Sequence, residues 1–288
     1  METRWLYTAS TDFEALREAS KGVCVIPMGC VEKHGLHLPL GTDIIQASHI
    51  AFRASQIEPF TVFPDFWFGD YPINTPWAPT GSLTPRLETE LLLLEELCDQ
   101  IGQNGFRIIC VYNWHGGNTS WLKAFLRKMA NRKHGYVVCF TNGVDRIPHK
   151  MAEYLETYGS GSIPELKPED EALLARLHAA GIKTGHACIS EAANVLAAAP
   201  ESVHLECLGI EDGRSRHQTD YLREAGIHIT AEGWDVDYPN NFAGDDPSDL
   251  NERLAQASFR MESEDLAKRI KILKEDQNLY KWHEKYWI

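Results

Sequence analysis

Residues 23–43 read VCVIPMGCVEKHGLHLPLGTD. Val23 to Met28 is an unbroken apolar run of strand length, the pattern of a strand buried on both faces. After Met28 the segment becomes polar and rich in glycine. Asp43 then stands just ahead of Ile44, Ile45, Ala47, Ser48 and Ala51, a small-residue apolar face that predicts a helix. A buried strand, a turning loop and a helix make the opening unit of a parallel α/β fold.

The alternation continues along the chain. FTVFP at 60–64 predicts a second strand, followed by a loop-like stretch to Leu83 that carries Trp67, Tyr71 and Trp77. RLETELLLLEELCDQIGQ (86–103) is a strongly amphipathic helix, and Arg107 to Tyr112 reads as the next buried strand. A helix over 120–132, a strand over 136–141 and a charged, glycine-containing connection to about Pro168 come next. Helical signals return at 169–180, at 191–197 and from Asn251 to about Lys274. Strands alternating with helices over 288 residues predict one α/β domain spanning 1–288, with a mainly parallel sheet.

Composition narrows the function. With 43% hydrophobic and 24% charged residues, the chain can bury a sizeable core. A net charge of -13 argues against nucleic acid or an anionic membrane as partner, because such surfaces neutralise phosphates with clustered Lys and Arg. No stretch approaches the roughly 18 uninterrupted apolar residues of a membrane span, and METRWLYTASTDFEAL has no basic start followed by an apolar run, so a soluble, unexported protein is expected. Seven scattered cysteines, several in strand-like runs, predict buried reduced thiols and a cytoplasmic location.

Three short segments carry candidate chemistry. In an extended segment residues two apart face the same side, so Glu32 and His34 can converge just beyond the first strand, with Asp43 ahead of the following helix. Asn113-Trp114-His115-Gly116-Gly117-Asn118 follows the strand 107–112, where open α/β sheets bind their ligands. Gly185-His186-Ala187-Cys188-Ile189-Ser190-Glu191 adds an imidazole and a carboxylate at a possible strand-to-helix junction. Taken singly, each has a plain structural alternative: a helix N-cap, a turn histidine, a first-turn Glu on the helix dipole. Together they make a nitrogen and oxygen ligand set suited to Zn or Mn and able to hold two ions. His186 is the candidate proton donor. His37, Trp114 and Trp77 are the candidate substrate contacts.

PMGCVEKHGLHLPLGTD resembles the E-x-H-G-x-H-L-P-L-x-T-D signature of the creatininase (creatinine amidohydrolase) family. NWHGGN is similar to the family's N-G-H-G-G-N, APTGSLT to its P-G-T-L-T, and GHACISEAANVLAAAPESV to its H-A-G-x-x-E-T-S and following helix. The resemblance covers roughly residues 20–205. It implies a three-layer α/β/α sandwich, two divalent ions and a homohexamer. It further implies that Glu32 and His115 hold one ion, His34 the other, and that Asp43 bridges them. Glu191 is the expected remaining carboxylate ligand. In creatininase a Glu two residues after the counterpart of His115 binds metal, and here that position is Gly117.

The function expected from this resemblance is hydrolysis of a small polar cyclic compound, a cyclic amide first, by metal-activated water. Two alternatives stand beside it. One is carbon–carbon cleavage of a cyclic polyol ketone of the 3-dehydro-scyllo-inosose type, with the polar stretch 237–245 as a hydroxyl-binding loop. The other is a non-catalytic, metal-stabilised binding protein, for which Gly117 is the support.

Overall fold

The computed structural model describes residues 1–71, 81–229 and 232–286, so Trp77 lies outside the described residues. Helix α1 (Phe13–Ala19) leads into β1 (Val23–Met28), and α2 (Thr42–Ile57) returns the chain to β2 (Thr61–Val62). Helix α3 (Leu87–Gln103) precedes β3 (Ile108–Asn113), and α4 (Asn118–Met129) connects it to β4 (Val137–Asn142). The four strands are parallel in the order β2-β1-β3-β4. Helices α5 (His149–Tyr158), α6 (Pro168–Ala179), α7 (Ile189–Ala198), α8 (Asp220–Glu224), α9 (Glu232–Asp237), α10 (Glu252–Glu275) and α11 (Leu279–Tyr286) complete the chain.

Side-chain alternation along the strands sorts the helices into two outer layers. Val23, Val25, Ile108, Cys110 and Tyr112 pack with Ala47, Ile50 and Ala54 of α2 and with Phe259, Leu266 and Ile270 of α10. Cys24, Ile26, Met28, Ile109 and Val111 face the other way, onto Leu94 and Ile101 of α3 and Trp121 and Phe125 of α4. The result is the expected α/β/α sandwich. A third apolar cluster joins α5, α6, α7 and α10, through residues such as Met151, Leu174, Val195 and Leu254.

Several details depart from the sequence expectations. Strand β2 keeps only two residues, paired with Cys24 and Val25. Pro27 has no N–H to donate on the β2 side, so the ladder breaks after Val25 and resumes only as a bridge between Met28 and Phe66, with Phe66 N donating to Pro27 O and Gly29 N to Phe66 O. Helix α5 forms within the stretch read as a connection; its buried side is only Met151 and Ala152, too little for a helical period to show. No strand precedes His186, which instead makes an isolated bridge with Ala243.

The fold delivers three chain segments to one place. Met28, Asn113 and Asn142 are in register, so β1, β3 and β4 end on a common line. The chain leaves β1 toward β2 and leaves β3 toward β4, which puts the switch point of the sheet between β1 and β3. Gly29 lets α2 enter this space: a Cβ there would stand 2.5 Å from the Asp43 Cβ. Away from this corner, buried Asp170 ties α6 to α10, accepting from Lys167 N (2.9 Å), Asn251 Nδ2 (2.9 Å) and Arg253 Nε (2.6 Å).

Two predictions follow from this packing. Gly29→Ala should force α2 away from β1, lower stability by about 1–3 kcal/mol and weaken metal binding; a variant with wild-type melting and metal content would refute the close approach. The Arg253 guanidinium, with the Lys167 N–H and Asn251, holds Asp170 at about 2, below the ordinary 3.8. A depressed acid stabilises the fold above its unfolded pKa and loses that contribution as pH falls toward the folded one. Asp170→Asn should therefore cost about 2 kcal/mol at pH 7 and flatten stability between pH 4 and 2, read by urea unfolding across that range.

Candidate metal centre and its cavity

The loop after β1 is held extended, with Glu32 N donating to Leu40 O at 3.0 Å and Val31 bridging Leu83. This places Glu32 and His34 toward the end of β3. There Asn113 brackets the following turn: its Nδ2 donates to His115 O (2.8 Å) and its Oδ1 accepts from His115 N (3.2 Å) and Asn118 Nδ2 (3.0 Å). Asn118, the first residue of α4, also accepts from Asp70 N and Trp121 Nε1. The two asparagines of NWHGGN thus act as a frame for His115.

The third segment contributes through a strained residue. Ala187 has φ +58°, a left-handed backbone that costs about 1–2 kcal/mol outside glycine. Both of its polar groups are held: its N–H donates to Glu191 Oε2 at 2.5 Å, and its carbonyl accepts from His37 Nε2 at 3.0 Å. This kink brings His186 and Glu191 to the same side.

Glu32, His34, Asp43, His115 and Glu191 meet in one buried cluster, with His186 at its cavity edge. His34 Nε2 lies 3.1 Å from Asp43 Oδ1 and 3.7 Å from Glu191 Oε2. His115 Nδ1 lies 2.6 Å from Glu32 Oε1 and 3.1 Å from Asp43 Oδ2, and His186 Nδ1 is 3.8 Å from Glu32 Oε1. The opposite nitrogen of each ring donates to a main-chain carbonyl: His34 Nδ1 to Glu32, His115 Nε2 to Asp70, His186 Nε2 to Lys33. Main-chain acceptors therefore fix all three tautomers and aim the remaining nitrogen at the carboxylates.

The charges are interdependent. Burial pushes the Glu32 and Asp43 carboxyls up, but His115 and His186 beside Glu32 and His34 beside Asp43 outweigh it and hold both below the usual range. Burial lowers His34, and Asp43 with Glu191 overrides this to raise it to about 9. His115 is raised in the same way against burial, chiefly by Glu32. Burial drives Glu191 upward. Burial, then the charge on His34, brings His186 down to about 4, leaving it neutral with a bare Nδ1. On protons alone the cluster balances by charging two imidazoles and neutralising a carboxyl, and divalent cations would replace those protons.

The cluster opens into a cavity of about 780 Å³ lined by Glu32, His115, His186 and Glu191 on one side. Trp114 lines it, its indole lying over Gly143, where a Cβ would come within 2.0 Å. His37 does not line it: 2% exposed and bonded to Ala187, it positions the loop behind the wall rather than touching the cavity. The 237–245 stretch is likewise absent from the described walls; Asn241 and Phe242 are buried, and Asp237 accepts from Gln218 N and Thr219 Oγ1.

Other walls were not anticipated. Asn142, Gly143 and Asp145 follow the end of β4, in register with Asn113, so strand-end reasoning applied to β4 as well as β3 finds them. Trp234 of α9 packs edge-on against His186 at 5.3 Å between centroids and had no sequence signal. Burial raises the Asp145 carboxyl to about 6. Among the described lining residues there is no Lys or Arg, while Asp70 and Asp145 add carboxyls beyond the ligand cluster.

Comparison with known proteins agrees with this architecture. The sequence model of the creatininase family, described as creatinine amidohydrolase, matches residues 7–270. No curated protein matches the sequence. Among solved structures, a Bacteroides fragilis NCTC 9343 protein provisionally described as a creatinine amidohydrolase is 20% identical, with a TM-score of 0.68 over 96% of this chain and 99% of that one. A creatininase variant described as Zn-Zn type and a structure described as creatininase Mn are each 14% identical, with TM-scores of 0.69 over 96% of this chain and 100% of theirs. At these identities the likeness shows the fold. With the family model matched over most of its length, the chain belongs to the creatininase family.

Proposed function

We propose that this protein is a divalent-metal-dependent amidohydrolase that opens a small polar cyclic amide with metal-activated water. One observation carries the reading: three imidazoles, each with one N–H held by a main-chain carbonyl, turn their other nitrogen onto three buried carboxylates. Glu32 Oε1 adds to it, being buried without a hydrogen-bond partner although 2.6 Å from His115 Nδ1. Such an approach without a hydrogen bond fits two ligands converging on one ion.

His34, Asp43 and Glu191 would hold one ion, and Glu32, Asp43 and His115 the other, with one oxygen of Asp43 toward each histidine. Glu191 completes the position of His34, while the position of Glu32, Asp43 and His115 goes without the carboxylate that creatininase carries two residues after this histidine, Gly117 standing there. The nitrogen and oxygen donors suit Zn or Mn, in keeping with solved creatininases described as Zn-Zn type and as Mn. When bound, such ions would supply Lewis acidity, acidifying a water and polarising a carbonyl oxygen.

The chain's own residues do the rest. His186, held as the Nε2–H tautomer by Lys33 O, presents Nδ1 to the cavity, where it takes the proton of the attacking water and returns it to the departing nitrogen. Trp114 and Trp234 give flat apolar walls for a small ring, and Asn113 and Asn142 give polar contacts. Assembly as a homohexamer and a cytoplasmic setting belong to this proposal, supported by family membership and by seven free thiols.

The proposal makes three measurable claims. Purified protein should carry two Zn or Mn ions per chain by elemental analysis, and Asp43→Ala should lose both; a metal-free wild type, or an Asp43→Ala protein with full metal content, would sink the metal centre. His186→Ala should keep its metal while turnover falls about a hundredfold or more; loss of metal instead would make His186 a ligand. Cyclic amides should release an amine product. A keto acid with no nitrogen product, formed from a cyclic polyol ketone, would move the enzyme to carbon–carbon cleavage.

A further inference from the structure

We infer that Cys30 is a thiolate ligand of the ion held by Glu32, Asp43 and His115, an inference that rests on the metal reading above. Cys30 and Glu32 lie two apart in a segment kept extended by the Val31–Leu83 bridge, so both project toward His115. Ligand atoms of Cys30, Glu32 and His115 all lie within 4.8 Å of one another, and all three residues are buried. Into the same space points Glu32 Oε1, on a residue 2% exposed, 2.6 Å from His115 Nδ1.

The ordinary reading of a buried cysteine is a small hydrophobe, and it suits Cys24, Cys98 and Cys110, which sit inside the apolar clusters of the sandwich. Cys30 belongs to none of those clusters. Its neighbours are ligands, and among the described residues its thiol makes only long contacts, 3.6 Å to Gly69 O and 3.9 Å to Leu83 O. Gly69 lets it lie there, since a Cβ at that position would come within 2.7 Å of the Cys30 Cβ. Moving sulfur from these carbonyls onto an ion gives up little.

Coordination here is an acid–base event. The S–H proton leaves to solvent and the sulfur lone pair faces the ion, with no change of oxidation state. The two ion positions would then differ: His34, Asp43 and Glu191 give nitrogen and oxygen only, whereas the neighbouring position gains a soft donor. A thiolate favours Zn over Mn. The substrate-facing chemistry is unchanged, because Cys30 stands on the Gly69 side of the cluster and does not line the cavity.

The test is cobalt substitution. Metal-stripped full-length protein is titrated with Co²⁺ and its visible and near-ultraviolet absorption recorded for wild type, Cys30→Ser and Cys188→Ser, Cys188 being the other thiol close to the cluster. Wild type should show a sulfur-to-cobalt charge-transfer band, absent in Cys30→Ser and retained in Cys188→Ser, while the visible d–d bands persist in all three. Competition between Zn²⁺ and Mn²⁺ should show Cys30→Ser losing at least about tenfold in Zn preference. If Cys30→Ser does not fold, X-ray absorption of the Zn-loaded wild-type protein replaces it: a Zn–S scatterer at about 2.3 Å is expected, and a shell of nitrogen and oxygen alone overturns the inference. Cobalt bound with d–d bands but no charge-transfer band, or a band lost in Cys188→Ser, overturns the role of Cys30 alone. No cobalt binding at all overturns the metal reading itself.

Discussion

Burying Glu32, Asp43 and Glu191 against one another is the constraint on which the rest of this structure is arranged. Like charges a few ångströms apart in a low-dielectric interior repel by several kcal/mol, so the cluster needs positive charge supplied from fixed positions. Three imidazoles face the carboxylates, and each is locked by a main-chain acceptor: Glu32 and Lys33 in the loop after β1 hold His34 and His186, and Asp70 in the loop after β2 holds His115. Those loops can meet only because β1 and β3 end in register beside the sheet's switch point and because Gly29 admits α2 to contact distance. The β-sheet register, a single glycine and a left-handed alanine thus serve one electrostatic requirement.

Much of this was legible in the sequence. Val23 to Met28, the amphipathic run 86–103 and the strand before Asn113 have periods long and clean enough to determine the layers. The residues brought together at the centre are those that the three short segments offered, since ligand types at strand ends leave few other uses for so many polar groups. What could not be read depends on contacts distant in sequence. The truncation of β2 follows from Pro27 on its neighbour, α5 buries too little to show a helical period, and Trp234 reaches His186 from α9. His37 illustrates the limit most clearly: it sits inside the signature, yet its use is to hold a carbonyl 150 residues away, which spacing alone cannot reveal.

Gly117 is best understood with its surroundings. A Cβ there would stand 2.6 Å from His115 Nε2 and 2.7 Å from Asp70 O, the two atoms that fix the His115 tautomer. A side chain at 117 would therefore disturb the bond that orients a ligand, and the glycine is compatible with His115 in a way a larger residue is not. Glu191, which approaches from α7 and is anchored by Ala187 N–H, sits beside His34 and not beside His115, so it does not make up for a side chain at 117.

The acidic walls of the cavity bear on the fate of the product. In the proposed reaction, opening a cyclic amide yields a chain with a carboxylate at one end and an amine, protonated near neutrality, at the other, and the described walls offer Asp70 and Asp145 but neither Lys nor Arg. The new ammonium end would meet opposite charge there and the new carboxylate would not. Walls that take no part in bond breaking would thus set which end of the product is held and which is pushed away.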